Sequence, residues 1–182
     1  MNKIIVILLI FTSIQQANDF HFLYQFSYGV GGDTIVKYEN VEDIKLGTGT
    51  VDALGVSFNP FSAMSKVAIS LTIGYSTTGS IFNDRYYLSK IPVTLTENYT
   101  YNEHWRLGAG ITYHMNHKGH KVNTSLENIK FDDAIGGVFS VGYVFGKNKK
   151  TYLGIRSTLI DYDINNVTLN GNRFSMMIEQ KF

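Results

Sequence analysis

Apolar and small or polar residues alternate with a period of two through most of this chain. Phe20, Phe22, Tyr24, Phe26 and Tyr28 fall on one face of an extended segment, and His21, Leu23, Gln25, Ser27 and Gly29 on the other. Val67, Ile69, Leu71, Ile73 and Tyr75 alternate with Ala68, Ser70, Thr72, Gly74 and Ser76. Trp105, Leu107, Ala109, Ile111 and Tyr113 alternate with Arg106, Gly108, Gly110, Thr112 and His114. Ile135, Phe139, Val141, Tyr143 and Phe145 are matched by Ala134, Val138, Ser140, Gly142 and Val144. Successive side chains of a strand point to opposite faces, whereas a helix needs a period of 3.6, so the pattern predicts strands. Eight segments carry it, roughly residues 19–32, 48–59, 66–79, 85–97, 104–116, 132–146, 151–164 and 172–182.

The connections alternate too. Those after the first, third, fifth and seventh segments are long and polar: GDTIVKYENVEDIKLG, TTGSIFND, NHKGHKVNTSLENIKF and NNVTLNG. Those after the second and sixth, NPFSAMS and GKNKK, are short, and NYTYNEH after the fourth is intermediate. Long loops at one end and short turns at the other, with an even strand number, is the wiring of an outer-membrane barrel. The expected fold is therefore all-β: an eight-stranded antiparallel, up-and-down transmembrane barrel over residues 18–182.

Polarity decides which face is the inside. A soluble barrel hides its apolar face and carries charge outside. Here one face is large and apolar, and its complement is Gly, Ala, Ser and Thr. That favours an inverted barrel, with lipid outside and a narrow, hydrogen-bonded lumen. The composition agrees: only 17% of the 182 residues are charged, while 14% are aromatic. The rings cluster at segment ends, among them Phe20, Phe22, Tyr28, Tyr75, Tyr86, Tyr87, Tyr99, Tyr101, Trp105, Tyr113, Tyr143, Phe145, Phe174 and Phe182, where interfacial girdles are expected. A net charge of +1 gives no footprint for nucleic acid, and the absence of Cys excludes disulfides, thiolate metal sites and a cysteine nucleophile.

Residues 1–17 read as a secretory signal peptide. Lys3 supplies the charge, Ile4 to Phe11 the apolar run, and Ala17 the small residue before cleavage. The run is too short to span a bilayer as a helix. Export to the periplasm and insertion into the outer membrane of a Gram-negative cell is the implied route. At the other end Phe174, Met176, Ile178, Gln180 and Phe182 alternate. A terminal aromatic after such a strand is similar to the signal that barrel-assembly machinery reads, which makes Phe182 the expected assembly signal.

Several stretches resemble the porin-like small outer-membrane β-barrel family, the eight-stranded barrels of the OmpA, OmpX and OmpW kind. They are Lys90-Ile91-Pro92-Val93-Thr94-Leu95, Leu107-Gly108-Ala109-Gly110-Ile111, Gly154-Ile155-Arg156, Asp161-Tyr162-Asp163 and Gly171-Asn172-Arg173-Phe174. The resemblance covers most of the chain after the signal peptide and implies architecture. It supplies no catalytic residues, and members of one fold differ in role.

Candidate chemistry lies on the inward face, at Lys90, Arg106, Arg156, Glu179 and Lys181. An unpaired charge in a narrow lumen is costly, so Glu179 is expected to pair with Arg156 or Arg106. The set reads as a polar plug that holds the barrel shut, or else as a gate. His114, His117 and His120 are close in sequence, but their spacing does not place them on one strand face, and Lys118 and Lys121 oppose a cation. They read as a solvated loop, and no metal or cofactor is expected. The leading function is a non-enzymatic, monomeric surface or envelope protein that contacts lipid and lipopolysaccharide. A narrow channel and a lipid A-modifying enzyme are the alternatives. The His-x-Ser-Asn setting of barrel deacylases is absent, since His114 is followed by Met115 and Asn116.

Overall fold

The computed structural model describes residues 20–36, 44–60, 66–79, 86–121, 129–146 and 149–182. The expected signal peptide, residues 1–17, lies outside them. Eight strands form the wall: β1 (Phe20–Val30), β2 (Gly49–Phe58), β3 (Val67–Gly79), β4 (Tyr86–Tyr101), β5 (Trp105–Lys121), β6 (Ala134–Phe145), β7 (Thr151–Ile164) and β8 (Arg173–Lys181). Each pairs antiparallel with the next, and β8 pairs with β1 through Leu23↔Lys181 to Val30↔Phe174. The last pairing closes the sheet, so no strand of the wall has a free edge.

β4 and β5 run to Tyr101 and Lys121, further than the alternation alone suggested. Their outer and inner extensions are polar, and pairing such as Thr100↔Arg106 and Tyr87↔His120 continues through them. Hydrogen-bonded pairing does not need an apolar face, so the strands project past the apolar band. The β4–β5 connection is consequently a tight turn, with Asn102 and Glu103 at positive φ.

The wall has the polarity of a membrane barrel. Phe22, Leu54, Ile73, Leu107, Ile111, Ile135, Phe139 and Met176 point outward and are exposed. Their neighbours Ser27, Ser57, Ser70, Thr72, Thr94, Thr112, Thr158 and Ser175 point inward and are buried. Apolar side chains gain by leaving water only if something apolar covers them, and lipid is that cover. Inside, small polar groups pair across neighbouring strands: Thr94 and Thr112 share a hydrogen bond of 2.8 Å, and Asn98 donates to Ser70 at 3.0 Å.

Aromatic rings mark both rims. Near the chain-terminal end Trp105 packs edge-on against Tyr143, with centroids 5.7 Å apart. Near the other end Tyr113 donates to Asp133 at 2.7 Å. A ring with a polar tip suits the border between lipid and water.

The described parts of the long connections lie at the end away from Phe20 and Phe182. One of them, between β1 and β2, folds back on itself as a short ribbon, Thr34–Val36 against Ile44–Lys45. Another is a hairpin continuing β7, in which Ile164 pairs with Val167. Asn165 and Asn166 both have positive φ there, the geometry of a two-residue hairpin turn that Asn accepts readily.

Candidate functional site, two tiers of side chains in the lumen

The inner tier sits toward the chain-terminal end. Arg106, the second residue of β5, faces in, as do Tyr152 of β7 and Glu179 of β8. Arg106 Nη1 donates to Glu179 Oε1 at 2.7 Å, and its guanidinium lies 3.7 Å from the centre of the Tyr152 ring. Gln25 of β1 bridges two charges: its Nε2 donates to Glu179 at 3.3 Å, and its Oε1 accepts from Arg156 Nη1 at 2.9 Å. Arg106 and Glu179 are each about 95% buried. Charges removed from water this far hold their ionised form only with partners, and this pair is charge-assisted and short.

The outer tier is largely apolar. Leu46, Leu88, Phe131, Ala134, Ile160 and Tyr162 form one buried cluster. Leu46 comes from the connection between β1 and β2, where its amide donates to Asp33 O at 3.0 Å. Lys90 Nζ donates to Leu46 O at 3.3 Å and to the Tyr162 hydroxyl at 3.0 Å. A loop residue thus sits over the outer part of the lumen, held by a lysine of the wall. His117 stacks on Phe131 with centroids 4.3 Å apart and meets Tyr162 edge-on at 4.5 Å. His114 Nδ1 shares a short hydrogen bond with the Tyr162 hydroxyl.

The two histidines overturn the solvated-loop reading. Both are buried inside β5. The cause is a bulge. Ser89 pairs with Lys118 and Ile91 with Met115, so Asn116 and His117 together oppose Lys90. Asn116 takes a positive φ of 53°. One extra residue reverses the parity of everything after it, which brings His117 to the same side as His114. The His120 side chain lies outside the described residues. Among the described residues no three His, Cys, Asp or Glu side chains gather as metal ligands.

Of the inward charges singled out from the sequence, Arg106 and Glu179 meet directly. Arg156 reaches Glu179 only through Gln25, and Lys90 belongs to the outer tier. Lys181 lies at the chain-terminal mouth, in a vestibule of about 450 Å³ shared with Lys66, Lys149 and Lys150. The structure adds Arg173, which sequence reasoning missed. It is buried, and its Nη2 donates to Gly49 O at 2.9 Å and to Ser27 O at 3.3 Å. Gln25, Tyr152 and Tyr162 were also missed. Strand parity contained the signal, because Arg173 shares a face with Glu179, and Tyr152 and Tyr162 share one with Arg156.

A closed antiparallel wall, apolar and ring-girdled outside, polar and ionic inside, defines an outer-membrane β-barrel. The fold is similar to that of Neisserial surface protein A, at a TM-score of 0.55 and 8% identity over 90% of this chain and 97% of that one. Outer membrane protein OprG from Pseudomonas aeruginosa matches at a TM-score of 0.48 and 12% identity, over 91% and 97% of the two chains. Ail, the attachment invasion locus protein of Yersinia pestis, matches at 0.49 and 10%, over 90% and 97%. No family model and no curated relative matches the sequence. What the Neisserial likeness shows is the eight-stranded outer-membrane fold.

Proposed function

We propose that this protein is a non-enzymatic, monomeric component of the bacterial outer membrane with a structural or surface-interaction role, and that its lumen does not conduct. The observation that carries the reading is that buried side chains pack across the lumen at two levels. An ion pair braced by Tyr152 blocks the inner half, and the Leu46–Phe131–Tyr162 cluster blocks the outer half. An eight-stranded barrel is only wide enough for its own side chains, and here those side chains interlock. Arg106, Arg156, Glu179 and Lys90 act as the plug that fixes the shut state. The long connections form the surface presented to lipopolysaccharide and to the exterior. Phe182 serves as the residue read by the barrel-assembly machinery; its exposed ring and its amide bonded to Phe22 O at 3.0 Å suit that role.

Planar-bilayer recording tests the closed lumen. Purified protein should give no single-channel steps, and reproducible steps would favour a narrow channel instead. Display is tested separately. The chain has no cysteine, so Asn165→Cys and Glu103→Cys each introduce a single label site. On intact cells an impermeant maleimide should label the first and spare the second; the reverse pattern would put the long loops in the periplasm.

A further inference from the structure

The space between the two tiers is an internal cavity of about 40 Å³, lined among others by Lys90, Arg156, Arg173, His114, Thr72 and Thr112. One water needs roughly 10–15 Å³ of such space. The cavity therefore has room for an ion and its close neighbours.

Its lining has an unbalanced charge. Lys90 and Arg173 are more than nine-tenths buried. Their hydrogen-bond acceptors are all neutral: Leu46 O and the Tyr162 hydroxyl for Lys90, and Gly49 O, Ser27 O and Ser27 Oγ for Arg173. Arg156 bonds the neutral amide oxygen of Gln25. Lys90, Arg156 and Arg173 line the same small cavity, so each cation lies near the other two. The Nε atoms of Arg156 and Arg173 have no hydrogen-bond partner. Among the described residues the only buried carboxylate is Glu179; Arg106 holds it directly and Arg156 reaches it through Gln25, which leaves one carboxylate facing Lys90, Arg106, Arg156 and Arg173. Like charges gathered in a poorly hydrated space repel strongly, and an unpaired buried charge is strongly unfavourable. A negative ion among them removes both penalties.

We propose that this cavity is a binding site for a small inorganic anion of halide size, held by Lys90, Arg156 and Arg173. The three side chains come from β4, β7 and β8 and line one cavity, so an ion among them ties together parts of the wall that are not all neighbours. It stabilises the closed barrel as any ligand of the native state does, by mass action. The inference uses the closed lumen only to explain how the ion is retained; its site stands or falls independently of conduction.

Bromide is the probe. The full-length mature chain is refolded in detergent with sodium bromide and crystallised, and anomalous differences are measured at the bromine edge. A peak in contact with Lys90 Nζ and the two guanidiniums is expected. Water alone at that place overturns the proposal, as do peaks confined to surface lysines, which mean an adventitious ion only. A second measurement needs no crystal. Unfolding is followed by heat-modifiable gel mobility in chloride and in gluconate at equal ionic strength, since gluconate is too large for the cavity. Wild type should unfold several-fold more slowly in chloride, and Arg156→Gln and Lys90→Met should lose that difference. Equal rates for wild type in the two salts would overturn the proposal even if neither variant folds. A conducting barrel with ordered bromide would remove the closed-lumen reading and leave this one intact.

Discussion

Arg106 and Glu179, 73 residues apart in sequence, meet at 2.7 Å inside the barrel. Their strands β5 and β8 are not neighbours in the wall, so the bond crosses the lumen. Truncating one partner strands the other in a buried place. Arg106→Met or Glu179→Met should each lower stability by about 3–5 kcal/mol. The double variant Arg106→Met with Glu179→Met should lose less than the two singles combined, because neither charge is then stranded. Urea unfolding in lipid vesicles measures all three; simple additivity would mean that the pair is not coupled.

The faces of the strands were legible because a period of two is strict. Lys90, Arg106, Arg156 and Glu179 could be placed inside from parity alone. Arg173, Tyr152 and Tyr162 obey the same parity, but they lie near strand ends, where a girdle reading competes with a lumen reading. Two other features were not legible. Leu46 belongs to a connection with no alternation, and its burial depends on a loop folding over the mouth. His117 depends on the bulge, whose signal is one Asn in a polar run. Local sequence states neither the extra residue nor its left-handed backbone.

The bulge yields its own test. Asn tolerates positive φ, Gly has no penalty there, and a β-branched residue is strongly disfavoured. Asn116→Gly should leave the fold unchanged. Asn116→Val should cost about 1–2 kcal/mol and loosen the stack of His117 on Phe131. Proton chemical shifts of the His117 ring report that stack; a Val variant with wild-type stability and shifts would show that the bulge is not held by residue 116.

The ion pair between Glu103 and Lys149, 2.7 Å apart, lies on turns at the chain-terminal end, and both side chains are exposed. The hydrogen bond from Lys149 holds the Glu103 carboxyl below the usual glutamate range. A depressed folded-state value means that the pair favours folding above the unfolded-state value, and that this contribution fades as pH falls through the folded one. Exposed pairs are weak and screened, so Lys149→Met should leave the unfolding midpoint unchanged within error. It should nevertheless raise the Glu103 titration midpoint, measured by carbon-13 shifts of the carboxyl. An unmoved midpoint would mean that the pair does not form in solution.

Glu97 is the clearest local conflict in the wall. It lies on the outward face of β4, paired with Ile69 on one side and Ala109 on the other, and it is exposed. With Tyr99, Leu107, Ala109 and Phe139 it lines a shallow groove of about 610 Å³ on the outside of the barrel. A carboxylate on a lipid-facing position is unfavourable, although less so than a lysine or arginine at the same depth. Leucine there matches the face and the pairing. Glu97→Leu should therefore stabilise the barrel in vesicles by roughly 1 kcal/mol, whereas Glu97→Gln should give a smaller gain. Urea titrations of the three proteins in the same lipid measure this ordering. A loss of stability on Glu97→Leu would show that the carboxylate meets water or a polar headgroup at that depth, and would move the inner edge of the lipid band outward past Glu97.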